Sequence, residues 1–251
     1  MRATFQLPPL TPAAAAPAPL RIVVVGAGFE LALGLLAWLL GFPFGINPFA
    51  HWFWTWQGLA YGGVAILPML AMAGAAFQAP GKAWQELRDF LDDVVAPLFL
   101  RCRTWHLLVL SLTAGWGEEL LFRGLLQRGL ATVVIAWSVS PNAASVLAVL
   151  VAAAAFGLAH PLTRLYVVGA TVLGLYLGLC LELSGNLLVT VIAHAGYDFL
   201  VLTFLVHRAR AREFGQQAAE VGREHLTDSV GGQNSLGQDV AATGSASGDS
   251  T

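Results

Sequence analysis

Apolar runs of about bilayer length alternate along the chain with short polar or turn-rich breaks. The first is Ile22 to Leu40, opened by Arg21, and the second is Trp56 to Phe77, closed by Pro80-Gly81. A third starts near Trp105. A fourth runs from Ala143 to His160 behind Pro141-Asn142, a fifth from Leu165 to Leu181, and a sixth from Leu187 to Val206 behind the turn signal Ser184-Gly185-Asn186. At 1.5 Å per residue, about 20 apolar residues cross a hydrocarbon core of about 30 Å. The pattern predicts an all-α fold, a polytopic membrane bundle of about six transmembrane helices. The third run has no clear end. Apolar residues continue past Gln127-Arg128-Gly129 to Trp137, too far for one simple span. Either the helix ends near Arg128 with an interfacial piece beyond it, or the region is broken or re-entrant.

Residues 82–103 follow a different pattern. Leu87, Phe90, Leu91, Val94 and Val95 recur at helical spacing, with Glu86, Arg88, Asp89, Asp92 and Asp93 between them. This predicts an interfacial amphipathic helix with its acids on the solvated face. Trp52, Phe53 and Trp54 suit the headgroup level. Gly58/Gly62 and Gly174/Gly178 are GxxxG pairs, which permit close helix approach. Residues 1–20, rich in Pro and Ala, read as a disordered, extended tail, and their prolines argue against a signal peptide. Residues 208–251 read as a disordered polar tail, which leaves 21–207 as the transmembrane domain.

The composition agrees: 57% of residues are hydrophobic and 11% charged, whereas a soluble domain carries about 25% charged residues. A net charge of -2 gives no basic footprint for nucleic acid. Cys102 and Cys180 make no disulfide framework and read as small buried residues. Val23 to Gly28 imitates the start of a dinucleotide fingerprint, but Leu31 stands where its third glycine belongs. The basic residues Arg2, Arg21, Lys82, Arg88, Arg101, Arg103, Arg164, Arg208, Arg210, Arg212 and Arg223 fall on one side of a six-span path, with Arg128 on the other. The positive-inside rule then places both termini in the cytoplasm of an integral, multi-pass membrane protein.

Three polar sets interrupt the apolar helices. The first is Glu118, Glu119 and Arg123; the second is His160, four residues after Phe156; the third is His194 with Asp198. A charge near the bilayer centre costs from about 2.5 kcal/mol to 10 or more. Glu119 and Arg123 are i,i+4 and can pair. Glu118 points about 100° away and needs another partner. Glu30, in the first span, is a lone acid that either faces the bundle or marks a polar cavity. A buried carboxylate with an imidazole is a water-activating pair. A second imidazole with its own carboxylate can stabilise an oxyanion or bind a metal. Glu118, His160 and His194 are also the residue types of a His2Glu zinc site, so zinc is the one cofactor to weigh. By depth, Glu118 and His194 agree, while His160 comes out nearer the cytoplasm.

Glu118-Glu119-x-x-x-Arg123, Phe156-x-x-x-His160 and His194-x-x-x-Asp198, in this order in membrane helices, resemble the CAAX protease and bacteriocin-processing family of intramembrane endopeptidases. The resemblance covers about 105–207. It implies that Glu118 activates water together with His160, that His194 and Asp198 hold the oxyanion, and that Glu119 and Arg123 support the first motif. A membrane-associated protein or peptide would be the substrate, and the bilayer the other partner. The family's eukaryotic prenyl-protein proteases have asparagine where this chain has Asp198, and about eight spans are usual against six here. Two other functions stay open: a non-catalytic member acting as scaffold or immunity factor, and a transporter with an intramembrane proton relay.

Overall fold

The computed structural model describes residues 18–243, with side chains through 216. Most of the Pro/Ala-rich tail lies outside the described residues. Among those described, all regular structure is helical. Seven helices follow in order: α1 (Pro19–Gly41), α2 (Trp56–Gln78), α3 (Lys82–Phe99), α4 (Thr104–Ala136), α5 (Pro141–Leu158), α6 (Arg164–Ser184) and α7 (Leu187–Thr243). Five are long and apolar enough to cross a membrane, and six if α3 and α4, bent by 110° at their junction, count as one broken span. This is a multi-pass membrane protein.

Local chemistry sets the helix ends. Thr55 caps α2 by accepting from Gly58 N at 3.0 Å. Thr163 caps α6 by accepting from Tyr166 N at 3.1 Å. Pro141 occupies the first turn of α5, behind Ser140. Gly185 ends α6 with φ +63, a left-handed conformation that glycine adopts freely. Asn186 then ties the turn to the 53–55 loop, accepting from Phe53 N at 3.1 Å and donating to Phe53 O at 2.9 Å.

The expected interfacial helix forms as α3, with Glu86, Asp89 and Asp93 exposed. Asp92 departs from the expected solvated face and is buried, 7% exposed. Leu91–Val95 is wound as a π-helix, which rotates the residues after Leu91 away from the strict α-helical pattern. Arg88 reaches back to the end of α2 and donates to Ala79 O at 2.9 Å.

The third span neither stops at Arg128 nor breaks there. α4 runs to Ala136 with a π-helical stretch over Leu120–Gln127, directly after the paired glutamates. Its 33 residues span about 50 Å, more than the hydrocarbon thickness, so tilt or protrusion is required. Beyond Val206 the chain forms a separate unit, His207–Thr251. There the backbone is helical to Thr243, where composition predicts a tail without structure. Residues 208–225 contain no proline and many helix formers, which the compositional rule undervalues.

Close contacts give the helix directions. Going up α1, Gly26, Gly34 and Gly41 meet Leu110, Trp116 and Leu125, so α1 and α4 are parallel. Arg123 and Gln127 donate to the carbonyls of Gly174 and Gly178, so α4 and α6 are parallel. Gly157, Gly174 and Gly178 pack α5 antiparallel to α6, on Thr171, Ala153 and Val149. α7 runs antiparallel to α4, with Gly115 against Ala195. Both GxxxG pairs are used: Gly58 and Gly62 meet Leu188 and Ile192, and Gly174 and Gly178 meet α5. This register removes the depth conflict at His160. Arg123 is level with Gly174, so the start of α6 is level with about residue 113 of α4, roughly 14 Å past Thr104. The α5–α6 loop is therefore recessed and delivers His160 to the level of Glu118.

Candidate active site

The site gathers on α4, where small residues let neighbouring helices come close. At Gly117 even a Cβ would collide with the Glu30 carbonyl oxygen of α1, and at Gly115 it would meet Ala195 N at 2.8 Å. The two carboxylates that follow have different surroundings. Glu119 is fully buried, with Oε1 at 2.8 Å from Arg123 Nη1 and 2.9 Å from His194 Nδ1. Arg123 is equally buried. It donates to Gly174 O at 3.2 Å and lies with Cζ 4.5 Å from the centre of the Phe156 ring.

Glu118 makes no such close contact. Its Oε2 lies 3.6 Å from His160 Nε2 and 3.9 Å from His194 Nε2. Both distances exceed a direct hydrogen bond, and Oε2 is buried without a hydrogen-bond partner. Asp198 Oδ2 is 3.4 Å from His194 Nε2. His160 turns its Nδ1 to the Phe156 carbonyl oxygen at 2.7 Å. The Phe156 ring lies between Arg123 and the two imidazoles, 4.6 Å from His160 and 5.7 Å from His194. Glu118, Glu119, Arg123, Phe156, His160, His194 and Asp198 are thus all brought together.

The structure adds groups that the motifs do not contain. Glu30 enters from α1, with its Oε2 buried and without a hydrogen-bond partner. A depth count would have found it: it lies about half-way along its span, as Glu118 does. Tyr166 stands beside His160, with ring centres 6.2 Å apart. No spacing signal marks it in the sequence. Among the described residues, no group of three or more His, Cys, Asp or Glu is arranged to hold a metal ion. His194 Nδ1 and His160 Nδ1 are both committed to protein oxygens, which leaves the two Nε2 atoms facing Glu118.

A multi-pass helical membrane protein with a buried glutamate facing two imidazoles is therefore defined by fold and site alone. Residues 101–200 match the family model described as Type II CAAX prenyl endopeptidase Rce1-like. That agrees with the resemblance in the motifs. All seven motif residues lie inside the match, and α1, α2 and α3 lie outside it. No curated protein and no solved structure matches the chain.

Proposed function

We propose that the protein is an intramembrane endopeptidase that hydrolyses a peptide bond in a membrane-associated protein or peptide, with water activated between Glu118 and His160. One observation carries this: a buried carboxylate faces two imidazole nitrogens at 3.6 and 3.9 Å, with neither at bonding distance. The Phe156 carbonyl only accepts, so His160 Nδ1 carries a hydrogen, and in the neutral ring Nε2 is an acceptor. A water beside Nε2 and Glu118 Oε2 donates one hydrogen to each and keeps its lone pairs free. As its oxygen bonds to the carbonyl carbon, one proton passes to Glu118. When the C–N bond breaks, Glu118 returns that proton to the departing amine.

His194 has the complementary role. Its Nδ1 donates to Glu119, a carboxylate held by Arg123. Nε2 therefore carries a hydrogen only in the imidazolium form, and that N–H is the donor for the oxyanion. Asp198 holds the ring at 3.4 Å and, as a carboxylate, accepts only. The family description names a CAAX prenyl endopeptidase; for this chain the proposed substrate is the wider class, a peptide segment at the membrane.

Both termini are proposed to be cytoplasmic. Supporting this, Arg128, the one basic residue on the opposite side, is paired with Glu182 at 3.4 Å. Protease protection that placed Arg212 outside would overturn the topology. For the activity, the test is to identify peptides that accumulate uncleaved in cells carrying Glu118→Gln. Undiminished function in that variant would replace the enzyme with a non-catalytic scaffold.

A further inference from the structure

Glu30 lies on α1, outside the segment that matches the family. The contact at Gly117 sets it at the level of Glu118. Its Oε2 is buried and has no hydrogen-bond partner. Glu30 and Asp198 border one cavity of about 230 Å³, together with Ile22, Phe99, Leu110 and Ser111. That cavity runs from Asp198 toward the Thr104 end of α4, between α1, α3, α4 and α7.

The ionisable groups of this cluster can be counted. Glu118 and Glu119 come from the α-helical part of α4 and Arg123 from its π-helical part. His194 and Asp198 come from α7, and His160 from the α5–α6 loop. Four carboxyls therefore stand against three bases. With every acid ionised and every base protonated, one negative charge remains uncompensated. With His160 neutral, as water activation requires, two remain. Apolar surroundings relieve such an excess by binding a proton. Glu119 has Arg123 and His194 at 2.8 and 2.9 Å, Asp198 has His194 at 3.4 Å, and Glu118 faces both imidazoles. Glu30 has no comparable partner.

We infer that Glu30 is a fourth acid of this site, protonated at neutral pH, and that its O–H is the second donor to the oxyanion beside His194. This rests on the hydrolytic reading above. It supplies what Asp198 cannot: a carboxylate at 198 accepts only, whereas a neutral carboxyl across the same cavity donates. The hydrogen bond strengthens as charge develops on the carbonyl oxygen, and Glu30 keeps its proton through the cycle.

The first test needs no substrate. Full-length protein in liposomes is compared with Glu30→Gln by infrared difference spectroscopy between neutral and alkaline pH. A neutral-carboxyl C=O band is expected in the wild type, lost on alkalisation and missing in Glu30→Gln. A wild type without that band at neutral pH, or a band that survives in the variant, overturns the inference. As a second measurement, dicyclohexylcarbodiimide, which modifies protonated carboxyls in apolar sites, should label Glu30 and not Glu119, with labelling falling as pH rises. Equal labelling of the two glutamates counts against it.

The donor role is then read on the peptides that accumulate in Glu118→Gln cells. Glu30→Leu removes the donor and should slow their cleavage by about a hundredfold, while Glu30→Gln, which retains an N–H, should stay within about tenfold of wild type. Equal rates in the two variants overturn the donor role. The spectra stand apart from activity. A missing band leaves the hydrolase proposal intact, and full function in Glu118→Gln overturns that proposal without touching the band.

Discussion

Two polar clusters lie along α4, and they differ in what they leave free. At the Arg128 end, Gln127 Nε2 donates to Gly178 O at 3.1 Å and to Glu182 Oε1 at 2.8 Å. Arg128 pairs with Glu182 at 3.4 Å. These groups spend most of their polarity on one another. At the Glu118 end, Glu119 and Arg123 do the same, but Glu118 has no ion-pair contact shorter than 3.6 Å. A membrane protein gains nothing in stability from a buried carboxylate kept apart from its partners. The contrast separates polar groups that fasten helices from one that the proposed hydrolysis would use.

Removing the free carboxylate should have the largest effect. Glu118→Gln keeps the shape and abolishes the base. Proteolysis should fall to near background, while membrane insertion and thermal stability match the wild type. Normal turnover in the variant would erase the distinction between the clusters. Glu119→Gln should behave in the opposite way. It strands Arg123 in the core and weakens the bond to His194. Breaking a buried pair costs about 3–5 kcal/mol, read as lower yield and melting temperature, with partial activity in the surviving protein. Glu119→Gln combined with Arg123→Met removes both charges and should recover part of that stability. If the double variant melts no higher than the single one, the pair is not a fastener.

Next in size is His194→Ala, which removes the proposed oxyanion donor. Its turnover should drop about 100- to 1,000-fold, with the substrate KM less affected and the protein still folded. Metal chelation sharpens the same comparison. With side chains and water as the machinery, a strong chelator leaves cleavage unchanged. Inactivation that zinc restores would assign Glu118, His160 and His194 to a metal site instead.

Much of this site is legible in the sequence because charges in apolar runs are costly and so conspicuous. The i,i+4 spacing of Glu119 and Arg123 gives their ion pair directly, and the 100° offset marks Glu118 as the unpaired acid. What spacing cannot give is relative helix height. His160 looks too near one membrane face until the register Arg123–Gly174 shows that α5 and α6 meet in a recessed loop. Nor does hydropathy end a helix. α4 passes Arg128 because Glu182, on another helix, neutralises that arginine. Asp92 escapes the amphipathic pattern because a π-helical turn changes the phase of α3. Glu30 is visible as a lone acid, but its company depends on tertiary packing of α1 on α4.

The smallest expected effect lies at the Arg128 end. Arg128 and Glu182 each keep 22% of their side-chain surface exposed, so solvent screens the pair. Exposed pairs contribute about 0.2–1 kcal/mol. Glu182→Gln also preserves an acceptor for Gln127 Nε2, so its cost should stay within that range, with cleavage unchanged. His51 adds a pH signature. Burial first, and the nearby Arg128 charge second, hold its imidazole below the ordinary value of 6.5, while Glu182 partly offsets them. A histidine whose folded value is depressed favours the neutral form. Its contribution to stability is complete above the ordinary value and declines as pH falls through it. Without the Glu182 carboxylate the depression deepens, so Glu182→Gln should lose more stability than wild type below about pH 6 and be nearly indistinguishable from it at pH 8. Melting curves at the two pH values check this. If Glu182→Gln instead melts normally but abolishes cleavage, the two clusters form one charge-coupled path along α4, as a proton relay would require, and their separation into fastener and reactive site fails.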